Sequence, residues 1–223
     1  MNFYKRLIAF FIYAFEAGRK AIAINGDIVF ATSTPLTIAI PAIKTKKKLK
    51  IPMVFEVRDL WPELPIAIGA IKNPILIYLA KRLERWAYSN SNEIVVLSPG
   101  MSEGVAKTGY PIENIHIIPN SSDISFFQLN KKLKIGLQNK YKWNVGDKII
   151  IYTGTLGEIN GVEYLVDIAN EFIEINNKVK FLIVGDGIEE QAIRNKAKIY
   201  NCLDNNLFLI NQLPKNKMPG LFN

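Results

Sequence analysis

Short apolar runs alternate along the chain with longer segments whose apolar residues recur every three or four positions. The longer segments predict helices. The short runs predict strands at residues 27–31, 52–57, 93–97, 115–118, 149–153, 181–184 and 207–210. Continuous apolar strands separated by helices are typical of parallel sheets that carry helices on both faces. The pattern therefore predicts an α/β protein.

A polar stretch at residues 120–130 interrupts this alternation, and a polar segment at 131–143 that reads as a helix follows it. The interruption predicts two Rossmann-like domains with parallel sheets, at residues 1–122 and 123–223. The first domain opens with a helix instead of a strand and ligand loop, and the second has only three clear strands. We therefore expect both domains to be incomplete and the chain to be a fragment truncated at both ends.

The N-terminal segment has apolar residues at helical spacing from Phe3 to Ala21, and Lys5 and Arg6 lie near its start. Its continuous apolar run is nine residues long, Leu7 to Phe15, whereas a membrane-spanning helix needs roughly 20. No small-residue cleavage site follows, which argues against a signal peptide. A helix packed on the core and an interfacial helix that touches a membrane both remain open.

Charge and composition narrow the choice of partners. The single Cys and single His exclude a disulfide framework and a His-rich metal site within one chain. The net charge is +8, and residues 1–120 hold 15 of the 28 basic residues against 9 acidic ones. This surplus favours an anionic partner for the first half. No aromatic residues interleave with the lysines of the run at residues 44–50, which disfavours nucleic acid.

Two basic segments of the first half have a simple structural interpretation as well as a functional one. The run Lys44–Lys50 contains five lysines in seven residues. It suits a solvated helix end, where the helix dipole favours cations, or a contact with anionic lipid. In the helix predicted at 73–91, Lys81, Glu84 and Arg85 are expected on the solvated face.

The segment FEVRDLWPE, residues 55–63, leaves a predicted strand and enters a loop that contains two prolines. Ligands of parallel sheets bind at the carboxyl ends of strands. Arg58, Asp59 and Glu63 can hold a phosphorylated or sugar ligand there, with Trp61 as a platform. Alternatively, the Arg–Asp pair pins the loop and Trp61 fills the core.

FEVRDLWPE, EIVVLSPGM and IHIIPNSSD, in this order, resemble the N-terminal half of family 4 glycosyltransferases of the GT-B fold. The similarity is greatest to the bacterial subgroup that builds surface polysaccharide. IYTGTLGEINGVEYLVDIA and FLIVGDGIEEQAIRNKA resemble the start of the C-terminal half. The resemblance extends over about residues 25–223 and implies a GT-B-like arrangement of the two domains.

The resemblance implies an enzyme that moves a hexosyl or N-acetylhexosaminyl group from a nucleotide-sugar, UDP-linked, to a lipid-linked or saccharide acceptor. It further implies a retaining, metal-independent reaction without a cofactor, in the cytoplasm or peripherally at the inner face of the cell membrane. On the acceptor side, Arg58, Asp59 and Glu63 are the candidate catalytic residues. Arg58 stands where many members have His, which indicates charge stabilisation.

The second domain is implied to bind the donor through the loops that follow its strands. The candidate donor-binding residues are Gly154, Thr155, Leu156, Gly157, Asn160, Gly185, Gly187, Asn211 and Gln212. Glycines let backbone N–H groups approach a diphosphate, but the same pattern also forms plain strand-to-helix turns. Thr155 and Asn160 stand where many members carry Arg and Lys, and Asn211 replaces a family glycine.

Other functions remain open beside this one. A GT-B nucleotide-sugar epimerase would need carboxylates and histidines that the sequence lacks. A truncated non-catalytic remnant or partner subunit is the second alternative. The family's C-terminal Glu-x7-Glu element would lie beyond residue 223, so we expect the chain alone to be inactive in sugar transfer.

Overall fold

The structure is a computed structural model that describes residues 3–33, 35–67, 69, 71–128, 136, 140–144, 146–176 and 178–222. The chain divides into two compact units, Met1–Ser121 and Ser122–Asn223. Each unit contains its own parallel sheet, as predicted from the alternation of strands and helices. The polar helix expected at residues 131–143 lies largely outside the described residues.

The first unit contains four strands and five helices among its described residues. In chain order they are α1 (Phe3–Ile24), β1 (Val29–Thr32), a 3-10 turn (Leu36–Ile38), α2 (Ala39–Leu49), β2 (Met53–Val57), α3 (Glu63–Ala67), α4 (Pro74–Ser89), β3 (Glu93–Val96), α5 (Pro99–Ala106), a 3-10 turn (Ile112–Asn114) and β4 (Ile115–Ile117). The strands are all parallel and lie in the order β1-β2-β3-β4. The short helix α3 was not predicted, because its segment carries two prolines.

The helix boundaries follow from local chemistry. The Asn73 side chain accepts hydrogen bonds from the backbone N–H groups of Ile75 and Leu76, at 2.9 and 3.3 Å, and Pro74 occupies the first position of α4. Helix α2 ends at Leu49, and the next residue, Lys50, is in the left-handed region with φ 57°. The start of α4 thus follows from its capping residue and proline, and the end of α2 lies in the lysine run, as the sequence indicated.

The core of the first unit lies on one face of its sheet. Phe55 and Ile94 on this face are fully buried, and the Phe55 ring lies 6.2 Å from that of Tyr88 on α4. On the opposite face Phe30 is 60% exposed. The expectation of burial on both faces is therefore wrong for β1, which is an edge strand with one paired neighbour.

Helix α1 packs along α2 through small residues. Gly18 is buried, and a Cβ there would lie 3.3 Å from the Cβ of Pro41. On another side of the helix, Ile12, Tyr13 and Phe15 are exposed. The Gly18 side of α1 is therefore packed on the core, as one of the two interpretations predicted. The side that carries Ile12, Tyr13 and Phe15 is exposed.

Among its described residues, the second unit contains three parallel strands in the order β5-β6-β7. Its elements are β5 (Lys148–Thr153), a 3-10 turn (Glu158–Asn160), α6 (Tyr164–Ile175), β6 (Val179–Val184), α7 (Glu190–Ile199), β7 (Leu207–Ile210), a 3-10 turn (Lys215–Lys217) and α8 (Met218–Leu221). Both faces of this sheet are covered, as predicted. Phe181 and Ile183 face the side packed by α6 and α7, whereas Leu182 and Phe208 pack with Trp143 and α8.

We expect Phe181→Ala to lower the free energy of unfolding by about 3–5 kcal/mol, because it deletes a fully buried ring from the central strand. Urea unfolding followed by circular dichroism measures this change. Ile188→Ala is the matched control: Ile188 is 87% exposed, and its loss should cost less than about 0.5 kcal/mol. Similar losses in the two variants would contradict the packing of β6.

Candidate functional site

The loops after β1 and β2 are joined at the carboxyl end of the first sheet. Ser33 is buried, and its hydroxyl oxygen accepts a 2.9 Å hydrogen bond from the backbone N–H of Arg58. The Ser33 N–H in turn donates to the Glu56 carbonyl at 2.7 Å. The backbone at Arg58 is therefore fixed, whereas the side chains of Arg58 and Asp59 are exposed.

The rest of this loop is anchored by apolar packing. Leu60 and Trp61 pack against the core cluster, and Pro62 is buried. A Cβ at Gly104 of α5 would lie 2.6 Å from Cδ1 of Leu60, so glycine makes room for the leucine. The alternative of Trp61 as core filler is thus supported, and the exposed polar groups of the loop are Arg58, Asp59 and Glu63.

Glu84, on α4, lies close enough to Glu63 for the two carboxylates to interact. It is buried, so its predicted place on the solvated face is wrong, whereas Lys81 and Arg85 are exposed. Burial raises the pKa of the Glu84 carboxyl to about 7, the Glu63 carboxylate adds to the rise, and a hydrogen bond with Tyr88 opposes it. The same surroundings raise the pKa of Tyr88.

In the second unit, the carboxyl ends of the three strands surround a cavity of about 290 Å³. Its lining comes from the loops after β5, β6 and β7. The lining residues are Thr153, Gly154, Thr155, Val184, Asp186, Gln212, Leu213 and Met218. Of the donor-binding candidates, the structure thus brings Gly154, Thr155 and Gln212 to one cavity, the arrangement that parallel sheets use for ligands.

Gly185 and Gly187 make the close packing of two loops possible. A Cβ at residue 185 would lie 2.0 Å from the Gly154 carbonyl oxygen, and one at residue 187 would lie 2.2 Å from the Leu156 carbonyl oxygen. Hydrogen bonds from Gly154 N to Val184 O and from Leu156 N to Asp186 O hold the loops together, at 3.1 and 3.0 Å. These two glycines therefore have a structural role in building the cavity.

Asn160 stabilises the conformation of the loop after β5 by hydrogen bonds within that loop. Its side-chain amide donates to the Thr155 carbonyl at 2.7 Å and to the Tyr152 hydroxyl at 3.0 Å. Leu156 is buried behind the cavity, and Asn211 is exposed beside the lining residue Gln212. Asn160 and Leu156 thus position the loop.

Several backbone N–H groups of these loops keep their hydrogen-bonding capacity. Those of Thr155, Gly157, Asp186 and Gly187 donate no hydrogen bond to any part of the chain that the structure describes. The first N–H groups of α6, by contrast, are already bonded: Tyr164 N, for example, donates to Gly161 O at 3.1 Å. The two loops, and not the N-terminus of α6, therefore have backbone N–H groups that can bond a ligand.

Sequence reasoning missed three polar or cationic residues of this region. Asp186 lines the cavity and stands between the two glycines of VGDG, which was the available signal. Lys215 and Lys217 occupy the turn between the lining residues Leu213 and Met218. Both lysines are exposed, so they can supply the positive charge that Thr155 and Asn160 do not.

Two kinds of feature are absent from the residues that the structure describes. No three His, Cys, Asp or Glu side chains there come together as a metal site. No helix there has the length and apolar character required to cross a membrane.

Comparison with known proteins identifies the family to which the chain belongs. A family model described as Glycosyltransferase Family 4 matches residues 1–126, more than half of the chain. The chain therefore belongs to Glycosyltransferase Family 4.

Two curated relatives are glycosyltransferases by name. The putative colanic acid biosynthesis glycosyl transferase WcaI of Escherichia coli (strain K12) is 26% identical over 169 residues, which cover 74% of this chain and 41% of WcaI. The probable glycosyltransferase WbjE of Pseudomonas aeruginosa is 23% identical over 192 residues, which cover 85% of this chain and 47% of WbjE. The chain spans less than half the length of either relative.

The fold has a solved counterpart in HepE of Anabaena, crystallised in complex with UDP and glucose. The TM-score is 0.70 at 12% identity, over 92% of this chain and 53% of HepE. The GT-B fold implied by the sequence resemblance is thus shown.

We expect Gly187→Ala to lower the free energy of unfolding by at least about 2 kcal/mol, because its Cβ would collide with the Leu156 backbone. Gly157→Ala is the matched control, since the nearest atom to its Cβ is 3.9 Å away and its φ is −120°. It should leave stability unchanged or raise it by about 0.5 kcal/mol. Urea denaturation compares the two, and equal losses would refute the assigned loop packing.

We expect the stability gained by Glu84→Gln to depend on pH. The folded pKa of Glu84, about 7, exceeds the ordinary value of 4.5. The stabilising contribution of its protonated carboxyl is therefore fully present below pH 4.5 and is lost as the pH rises through 7. Gln keeps a neutral group at every pH. The variant should therefore match the wild type near pH 4.5 and exceed it by up to about 3 kcal/mol at pH 8.

Urea unfolding at the two pH values measures this difference. Glu103→Gln, at an exposed position of α5, is the control and should change stability by less than about 0.5 kcal/mol at both. A constant offset between wild type and Glu84→Gln across this pH range would show that Glu84 is not a buried acid.

Proposed function

We propose that the protein transfers a sugar from a nucleotide-sugar, with its second unit binding the donor and its first unit binding the acceptor. The observation that carries this proposal is the cavity at the carboxyl ends of β5, β6 and β7. Its rim holds unbonded N–H groups from two loops, which suit phosphate oxygens. Membership of Glycosyltransferase Family 4 supports the reaction class.

On the donor side, the N–H groups of Thr155 and Gly157 bind the diphosphate. Asp186 accepts hydrogen bonds from donor hydroxyl or N–H groups, because an ionised carboxylate is an acceptor only. Lys217, exposed in the turn after β7, supplies a positive charge. We assign the donor as UDP-linked; the UDP complexes of the structural relative HepE support this choice.

On the acceptor side, Glu63 accepts a hydrogen bond from the acceptor, and Asp59 takes the proton of the attacking hydroxyl as its oxygen bonds to the sugar and the nucleoside diphosphate leaves. Arg58 stabilises the negative charge that develops. The fixed backbone at Arg58 supports this role, because its N–H donates a hydrogen bond to the buried hydroxyl of Ser33. We propose a lipid-linked or saccharide acceptor in surface polysaccharide synthesis, a retaining and metal-independent reaction, and a place at the inner membrane face. The relationship to WcaI supports the polysaccharide assignment.

Isothermal titration calorimetry with UDP and with uridine tests the donor site. We expect UDP to bind the chain and uridine to bind at least about tenfold more weakly, because uridine lacks the diphosphate. Lys217→Gln should weaken UDP binding by about threefold to tenfold, and Lys198→Gln, an exposed lysine of α7, should not. Equal affinity for UDP and uridine would refute the phosphate site.

A transfer assay tests the acceptor side separately. Because the 223-residue chain alone is expected to be inactive, the assay uses a longer version of the chain, with a UDP-sugar panel and lipid-phosphate acceptors. In that version Asp59→Asn and Glu63→Gln should each lower transfer by about a hundredfold while UDP binding stays unchanged. The partner-subunit alternative predicts UDP binding without any transfer, in the wild type as in the variants.

A further inference from the structure

Residues 123–127, at the start of the second unit, form a tight turn that we call the brace turn. The Asp123 carboxylate accepts hydrogen bonds from the Ser125 hydroxyl and the Phe126 N–H, at 2.8 and 3.1 Å. The Asp123 carbonyl accepts from the N–H groups of Phe126 and Phe127, at 3.1 and 3.0 Å. These bonds fix the backbone that carries the two phenylalanine side chains.

The brace turn contacts the segment that follows β7. The Lys215 ammonium lies 5.4 Å from the centre of the Phe126 ring, which is a cation–π contact. The Phe127 ring lies 6.3 Å from that of Phe222, the residue after α8. Hydrogen bonds within the brace turn hold the pKa of the Asp123 carboxyl below its ordinary value, and the nearby Lys215 ammonium lowers it further. The brace turn thus holds the segment after β7 at both of its ends.

The segment after β7 forms one wall of the cavity at the carboxyl ends of the second sheet. Leu213 and Met218 both line the cavity, and Lys215 lies between them in the 3-10 turn. Apolar packing of Leu213, Met218 and Leu221 holds this wall on the sheet. The hydrogen bonds of residues 212–217 are local, and none of them reaches another segment of the described chain. The contacts with the brace turn therefore add a second anchor to the wall.

The two lysines of the wall have different surroundings. Lys215 is engaged by the Phe126 ring and by the charge of Asp123. The Lys217 side chain is exposed two positions further on, and it forms no ion pair with any residue that the structure describes. Lys217 is therefore available to an anionic ligand, whereas Lys215 connects the wall to the brace turn.

We propose that the brace turn is part of the donor site: by holding Lys215 and Phe222 it fixes one wall of the cavity. Phe126 and Phe127 are positioning residues, which act on the ligand through this wall. A wall that is fixed before binding loses less conformational freedom when the ligand enters, so the affinity is higher. This inference rests on the proposed function, because that function assigns the cavity to the nucleotide-sugar donor.

Hydrogen–deuterium exchange of the ligand-free chain tests the brace turn itself. Phe126→Ala should speed exchange in peptides covering residues 212–222 by about threefold, because it removes the ring that holds Lys215. Ile124→Ala is the matched control, since Ile124 lies in the same turn and is 77% exposed. It should leave this exchange unchanged. Exchange at residues 212–222 that Phe126→Ala does not alter, or that rises equally in helix α7, would overturn the proposal.

Calorimetry with UDP tests the link between the brace turn and the donor. Phe126→Ala and Lys215→Gln should each weaken UDP binding by about threefold. The double variant should bind no more weakly than either single one, because both changes remove the same contact. Lys215→Arg should keep the wild-type affinity, since a guanidinium also binds the face of an aromatic ring. Independent losses in Phe126→Ala and Lys215→Gln, which multiply in the double variant, would overturn the positioning role.

The two measurements separate the brace turn from the donor assignment. Faster exchange at residues 212–222 in Phe126→Ala, with no UDP binding by the wild type, would confirm the anchoring of the wall and refute the donor assignment. UDP binding by the wild type that Phe126→Ala leaves unchanged would keep the donor assignment and overturn the role of the brace turn. Lys217→Gln removes a charge that acts on the ligand directly, so its effect on UDP binding should multiply with that of Phe126→Ala.

Discussion

The cavity of the second unit depends on the contact between the loop after β5 and the loop after β6. The carbonyl oxygens of Gly154 and Leu156 lie where Cβ atoms of residues 185 and 187 would be. Because glycine occupies both positions, the loops come close enough for Leu156 N to bond Asp186 O and for Glu189 N to bond Leu156 O, both at 3.0 Å. Thr155 and Asp186, whose N–H groups donate to no described part of the chain, both line the cavity that this contact builds.

In the first unit, a hydrogen bond to a buried hydroxyl fixes the loop at the carboxyl end of the sheet. A single buried hydroxyl, that of Ser33, fixes the backbone at Arg58. The acid beneath the loop, Glu84, carries a raised pKa because it is buried and lies near Glu63. The loop after β2 thus has a backbone fixed by hydrogen bonding and lies near a buried acid whose pKa is raised.

Strand positions and loop motifs could be predicted from the sequence because they depend on local patterns: DIVFA, KFLIV and VGDG each carry their own apolar run or glycines. Burial on a particular face could not. Glu84 has the sequence neighbours of a solvated residue, and only the packing of α4 against the sheet turns it inward. Likewise β1 reads as a buried strand, yet its place at the sheet edge leaves Phe30 exposed. The roles of Gly185 and Gly187 depend on a second loop distant in the chain, which no local pattern reveals.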